Sequence, residues 1–323
     1  MTNLTTHSAL PIRIGISRCL LGEPVRYDGG HKRDRFVSEV LSRHVEWVPI
    51  CPEVEAGFGT PREAMRLEGN ASKPQLITIT TKRNMTRPLI AFAGRKLKTL
   101  EDVYLSGYIF KKDSPSCGIE RVNLFNAHGS PSRTGVGLFA RAFKEQFPLI
   151  PIEDEGRLCD PMLRDHFVEQ VFSYHRWLLL TQGTPTRQSV VDFHTGHKYL
   201  LLAHSPALYQ SLGRLVAEAH RYTARGLVEH YGALFMNALA VKATRRKQVN
   251  VLQHLAGHFK DRLNPKERTE LNNVIAEYHQ GLVPLIVPIT LIKHYVKMHE
   301  VEYVQNQVYL NPHPKELMLR NYF

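Results

Sequence analysis

Three short apolar runs that each lead to a cysteine constrain the fold of this 323-residue chain more than any other feature. Ile12–Ser17 precedes Cys19 in IRIGISRC, Val45–Ile50 precedes Cys51 in VEWVPIC, and Gly107–Phe110 precedes Cys117 in GYIFKKDSPSC. Short runs of this kind, bounded by turn residues and rich in Ile, Val and aromatics, read as buried strands. Ligands of an open α/β sheet bind beyond the carboxyl ends of its strands, so three thiols delivered there by three strands converge on one place. Three convergent thiolates point to a metal centre. The alternative on pattern alone is that they are small buried hydrophobes near strand ends.

A chain of this length can build two domains, each with its own core. Up to about residue 150, apolar strands alternate with amphipathic segments. Asp34–Leu41 has helical spacing, Gln75–Thr81 is β-branched and strand-like, Pro88–Lys98 and Gly135–Phe147 read as helices, and Leu149–Ile152 as a last strand. Beyond Asp160 the strand signals nearly vanish. Pro161–Leu180, Arg187–His204, Pro206–Arg225, Gly226–Leu263, Pro265–Gly281 and Pro284–His299 are long amphipathic stretches bounded by Pro, Gly or capping residues. The reading is an α/β N-terminal domain with an open Rossmann-like sheet over residues 1–155, followed by an all-α C-terminal helical domain over residues 156–323.

The cysteine separations exclude the local spacing of zinc fingers and ribbons. Thiolates also hold Fe–S clusters, and a cubane ordinarily takes four cysteines. A [4Fe-4S] cluster on Cys19, Cys51 and Cys117 alone leaves one iron open, and an open iron is a Lewis acid. Cys159 follows no strand and reads as unligated. Glu53 stands two residues after Cys51, placed to move protons, and Ser114 and Ser116 flank a tight turn before Cys117, placed to hydrogen-bond a heterocycle or water. In isolation, Glu53 would be an ordinary surface acid and Ser114 a turn residue.

Residues 12–150 resemble the thiouracil desulfidase (TudS-like) family through Cys19-Leu-Leu-Gly22, Val25-Arg-Tyr-Asp-Gly-Gly30, Cys51-Pro-Glu53 with Thr60-Pro-Arg62, and Lys112-Asp-Ser-Pro-Ser-Cys-Gly118. From about residue 160 the chain resembles the YbgA-type helical domain through His197-Lys-Tyr-Leu-Leu-Leu-Ala-His-Ser205, Asn250-Val-Leu-Gln-His-Leu-Ala-Gly257 and Val283-Pro-Leu-Ile-Val-Pro-Ile-Thr-Leu291. Together they are similar to the long, RudS-type desulfidases of tRNA 4-thiouridine. The resemblance implies a [4Fe-4S] cluster on the three cysteines, catalytic roles for Glu53 and Ser114, and hydrolytic, non-redox conversion of C=S to C=O with release of hydrogen sulfide. The alternatives are the same chemistry on free thiouracil or thionucleosides, and a non-catalytic Fe–S protein that binds RNA or senses redox state.

A formal net charge of +12, with an excess of Lys and Arg in both halves, favours a polyanionic partner such as tRNA or thiolated nucleotides. The candidate contacts are Lys111 and Lys112 beside the third cysteine, Lys32, Arg33 and Arg35 after the first, Lys82, Arg83, Arg95, Lys96 and Lys98, and Lys242, Arg245, Arg246 and Lys247 in the second half. Any one of these groups alone reads as a solvated face. Most of the 17 histidines lie in the second half. His254 and His258 have i, i+4 spacing, but without HExxH or a third ligand they read as packing residues, as does the apolar stripe around them. His197, Lys198 and His204 are further candidates to face RNA. Met1–Leu10 lacks the apolar core of a secretory signal and no stretch is long enough to span a bilayer, which points to a cytoplasmic protein.

Overall fold

The computed structural model describes residues 10–322, so the reading of Met1–Leu10 falls, Leu10 apart, outside the described residues. Two compact units meet in sequence between Asp160 and Pro161, with the turn Arg157–Cys159 still in the first. Among the described residues no helix is long and apolar enough to cross a membrane.

The first unit holds β1 (Arg13–Ser17), β2 (Glu46–Ile50), β3 (Met65–Asn70), β4 (Lys73–Thr78), β5 (Leu105–Phe110), β6 (Val122–Phe125), β7 (Pro131–Gly135) and β8 (Ile152–Asp154), with helices α1 (Pro52–Glu55), α2 (Thr86–Glu101) and α3 (Leu138–Gln146). One sheet has the order β2-β1-β5-β8, with every pair parallel. From β1 the chain moves to one side to form β2 and returns to the other side to form β5. That reversal opens a crevice beyond the strand ends, where such sheets bind ligands. Ser17 pairs with Ile50 and Ile16 with Ile109, so the strands finish nearly level.

All six residues of β5 are buried, as its apolar sequence requires of a central parallel strand. Tyr108 stacks on Phe110 at 3.9 Å between centroids and meets Phe143 of α3 at 4.8 Å, within a core that also contains Phe92, Leu97, Phe139 and Cys117. Gly15 of β1 makes room for this ring: a Cβ there would stand 2.2 Å from Tyr108 Cδ2.

Several expectations are corrected. The first unit has a second sheet, β4-β3-β6-β7, in which β3 and β6 are parallel and the outer pairs antiparallel. The run at Gln75–Thr81 belongs to this sheet, as part of a hairpin with β3, and not to the Rossmann-like one. Asp34–Leu41 forms a wide turn, Phe36–Val40, followed by a tight one, Leu41–Arg43, started where Asp34 Oδ1 accepts from Val37 N at 2.9 Å. The last strand is Ile152–Asp154, one turn later than expected, because Phe147–Ile150 closes a turn after α3.

In the second unit α4 (Pro161–Gln182), α5 (Arg187–His204), α6 (Pro206–Ala217), α7 (Ala224–Ala240), α8 (Arg245–Gly257), α9 (Pro265–Gln280), α10 (Ile286–Met298) and α11 (Glu302–Gln305) form the expected helical architecture. Hydroxyl or amide side chains begin most of them: Thr186, Ser205, Thr223, Thr244 and Asn264 each accept an otherwise unpaired first-turn N–H. The stretch expected as one helix from Gly226 to Leu263 is two, broken at residues 241–244, where Thr244 caps α8. The stretch at Pro206–Arg225 likewise ends as a helix at Ala217.

A buried charge network joins α4 to the last residues of the second unit. Glu169 accepts from His204 Nε2 and Arg320 Nη2, while Asp165 accepts from His313 Nε2 at 3.0 Å and Tyr322 OH at 2.9 Å. Burial pushes the Glu169 carboxyl up, but the Arg320 and His204 charges overcome it and hold it well below the ordinary carboxylate range. A carboxylate so lowered contributes stability that is present above its unfolded value of about 4.5 and lost as the pH falls below it. Glu169→Gln is expected to lower unfolding stability by about 3–5 kcal/mol at neutral pH and to flatten the acid loss seen in the parent, measured by urea denaturation across pH. Gly15→Ala should cost about 1–3 kcal/mol by overpacking. Gly94→Ala, on the open face of α2 where a Cβ meets nothing, should gain about 0.5–1 kcal/mol in the same assay.

Candidate functional site

Each of the three parallel strands passes its cysteine to the crevice by a different local device. Beyond β1 the chain enters the tight turn Arg18–Leu21, closed by Gly22 in the left-handed region, and Cys19 lies inside it. Cys51 is the N-cap of α1, with Pro52 at the first helical position and Glu53 and Glu55 in the first turn. Cys117 ends a loop gripped by the start of α3, where Gly137 N donates to Gly118 O at 2.8 Å and Phe139 N to Ser116 O at 3.0 Å. Gly137 permits that approach, since a Cβ would lie 2.6 Å from the Ser116 carbonyl. All three thiols line one cavity of about 450 Å³, together with Glu53, Arg62 and Ser114.

Burial pushes Cys19 up to about 11, with the neighbouring Cys51 adding to the shift. Burial raises Cys51 as well, and lifts Cys117 well above the ordinary thiol, where Cys51 and Glu53 add to the effect. Burial thus opposes ionisation of all three sulfurs, Cys51 adds to it at the other two, and three thiolates here require a positively charged partner. Cys51 Sγ approaches Val25 O at 3.8 Å, and the Ser17 side chain, which accepts from Lys111 N at 2.9 Å, hydrogen-bonds Cys117. Among the described residues no three His, Cys, Asp or Glu side chains close on a point as they would around a single ion. Three thiols that follow three neighbouring strands and line one cavity are the soft donors that Fe–S clusters take. This donor set fits a cluster.

Glu53 is held on both oxygens. Arg62 Nε and Nη2 donate to Oε2 at 2.8 and 2.6 Å, and Ser116 Oγ donates to Oε1 at 2.8 Å. Ser116 is fully buried and stands behind Glu53, off the cavity wall, so its expected contact with substrate gives way to a contact with the carboxylate. Ser114 is on the wall, where its Oγ accepts from Ser116 N at 3.2 Å and Cys117 N at 3.1 Å; its own O–H is left to donate.

The basic candidates separate into different roles. Lys111 is ion-paired with Glu155, which also accepts from Lys112 N at 2.7 Å, while Lys112 is among the residues lining the cavity and its side chain passes Gly156 close to Asp154. Lys32 lines it too, and among the described residues neither Lys32 nor Lys112 has an ion-pair partner within 4.0 Å. In the second unit Lys247 Nζ donates to His204 O at 2.6 Å, Arg245 lies over the Tyr278 ring, and Lys242 and Arg246 are exposed. Lys242 borders a cavity of about 30 Å³, room for one water, beside the Glu169 network. His197 and His204 are buried and so do not face a partner, and His258 Nε2 is bonded to Tyr199 OH at 2.6 Å. Sequence reasoning gave no role to Ser17 or Tyr27 and took Arg62 only as part of a motif. Tyr27, 44% exposed on the cavity rim, offered the clearest signal as an aromatic in a Gly-rich loop.

Residues 14–155 match the family described as 2-thiouracil desulfurase, and residues 198–314 match a protein of unknown function, DUF1722. Two curated relatives are uncharacterized. Protein YbgA of Escherichia coli (strain K12) is 29% identical over 160 residues, covering 49% of this chain and 94% of its own length. Protein YbbK of Bacillus subtilis (strain 168) is 29% identical over 136 residues, covering 40% of this chain and 88% of its own. A solved structure described as the [4Fe-4S]-dependent thiouracil desulfidase TudS is 26% identical and covers 46% of this chain and 94% of that one, with a TM-score of 0.38.

The thiols predict an order of reactivity. In metal-free protein at neutral pH, iodoacetamide should label exposed Cys159 first, half-buried Cys51 next, and Cys19 and Cys117 last, as followed by peptide mass mapping. Labelling of Cys19 should stay low through mildly alkaline pH and climb only as its value of about 11 is approached.

Proposed function

We propose that this chain, whose residues 14–155 match the 2-thiouracil desulfurase family and whose residues 198–314 match DUF1722, is an iron–sulfur desulfidase of 4-thiouridine, in tRNA or in nucleotides derived from it. The observation that carries the reading is the convergence of three thiols, two of them buried and one half-buried, and one anchored carboxylate on a single cavity. Cys19, Cys51 and Cys117 would hold a [4Fe-4S] cluster. When bound, it supplies an iron without a protein ligand, a Lewis acid suited to a soft thiocarbonyl sulfur.

The remaining chemistry belongs to the chain. Water adds at the thiocarbonyl carbon, the C–S bond breaks, and the products are a carbonyl and hydrogen sulfide, with no electrons exchanged. Glu53 lines the cavity with its carboxylate anchored by Arg62 and Ser116, and that carboxylate takes the proton of the attacking water. It returns that proton to the departing sulfur, and the proton that the added hydroxyl sheds as the carbonyl forms completes hydrogen sulfide. Ser114 donates its free O–H to a ring heteroatom and fixes the heterocycle. Tyr27 offers an exposed ring for stacking at the rim.

Lys32 and Lys112 are among the residues that line the cavity, and ammonium groups there attract a phosphate. Cluster-loaded protein kept anaerobic is therefore expected to release sulfide from 4-thiouridine-containing tRNA or thiolated nucleotide in step with loss of near-ultraviolet thiobase absorbance. Glu53→Gln should slow this by about 10²–10⁴-fold with the cluster retained. Turnover of tRNA should fall steeply with salt. Sulfide release from none of these compounds would remove the desulfidase reading, and a kcat/KM for free thiouracil equal to that for the nucleotide and tRNA would remove the substrate preference.

A further inference from the structure

We infer that Arg62 is a positioning residue of this site, acting through Glu53 and not on the substrate; the inference rests on the desulfidase reading of the cavity. Arg62 lines the cavity, where a guanidinium would ordinarily be read as a contact for phosphate. Its three nitrogens are instead committed to the protein. Nε and Nη2 hold Glu53 Oε2, while Nη1 donates to Gly59 O at 2.9 Å, Val25 O at 3.0 Å and Thr60 Oγ1 at 3.4 Å. The side chain is only 7% exposed.

Burying such a pair strips water from both charges, and the attraction regained does little more than offset that cost. What the pair supplies is geometry. A glutamate has three rotatable side-chain bonds, and here Ser116 fixes one oxygen while Arg62 fixes the other, leaving the carboxylate one orientation toward the cavity. Arg62 is itself set by the loop after the first cysteine: its N–H donates to Tyr27 O at 2.9 Å, and Val25 O, which it also holds, is the atom that Cys51 Sγ approaches. The guanidinium therefore ties the loop behind Cys19 to the helix turn behind Cys51, with Glu53 at the junction. Water must meet Glu53 in line with the reacting carbon, and misplacement by about 1 Å costs a reaction about 100-fold.

The test uses the full chain, loaded anaerobically with the cluster, as Arg62→Ala and Arg62→Lys. Iron and sulfide per chain, melting temperature, and steady-state kinetics on 4-thiouridine monophosphate are measured together. Arg62→Ala is expected to keep its cluster and to lose about 100-fold in kcat with KM nearly unchanged, because the lost contact orients a reacting group and binds no substrate. Guanidinium ion at non-denaturing concentration should restore about tenfold of that loss in Arg62→Ala and nothing in Glu53→Gln, since it refills the fork that holds this carboxylate. Arg62→Lys, with the charge but without the fork, should fall between Arg62→Ala and the parent.

Full kcat in either variant would overturn the inference. So would a loss confined to KM, a failure of guanidinium to rescue folded Arg62→Ala, or loss of the cluster in both variants, which would make the role structural. If Arg62→Ala does not fold, cluster-loaded Arg62→Lys decides: a kcat at least about tenfold down supports the role and an unchanged one removes it. A loaded parent that releases no sulfide from any thiobase removes the desulfidase reading and this role with it; an active parent with an equally active Arg62→Ala removes this role alone.

Discussion

The parallel register of β1, β2 and β5 is the constraint on which the first unit's chemistry depends. Ser17 pairs with Ile50 and Ile16 with Ile109, so the residues just beyond the three strands emerge at one level. The register is in turn held by burial. Tyr108 and Phe110 pack on Phe139 and Phe143, which seats α3 against the sheet, and the start of α3 grips the loop that carries Cys117. An apolar core thus aims three polarisable sulfurs at the crevice, and the same burial makes each of them a poor anion until a positive group joins them.

Both units bury charge, and cavity volume separates what that charge is for. In the second unit Glu169, Arg320, His204, Asp165, His313 and Tyr322 satisfy one another around a space for one water, and they fasten the end of the chain to α4. In the first unit Glu53 is equally well anchored, by Arg62 and Ser116, but its carboxylate opens on about 450 Å³ beside three thiols. Anchoring without space is structure. Anchoring beside space is preorganisation, where a group meets a reactant without first having to reorient.

The parts legible in the sequence are those in which a local pattern and the tertiary role coincide. β1, β2 and β5 are apolar runs with turns behind them, and in a parallel sheet such runs are central strands, so the place of Cys19, Cys51 and Cys117 could be read directly. The second sheet was missed because its strands are short and polar: Met65–Asn70 carries Arg66 and Glu68 side by side in an ion pair, and Pro131–Gly135 is exposed over most of its length. The break between α7 and α8 contains neither Pro nor Gly, and Thr244 marks it only through a side-chain cap. The partners of Glu53 were illegible for another reason. Ser116 lies 63 residues away, and no spacing rule links a carboxylate to a hydroxyl that the fold alone brings to it.

The central claim is that three thiols of this cavity, and not the fourth cysteine, hold a [4Fe-4S] cluster. Native mass spectrometry of anaerobically reconstituted chain tests it most directly, on the parent and on Cys19→Ser, Cys51→Ser, Cys117→Ser and Cys159→Ser. The account predicts one cubane mass on the parent and on Cys159→Ser, lost from the other three. A cubane retained by any of those three variants, or lost from Cys159→Ser, would contradict it.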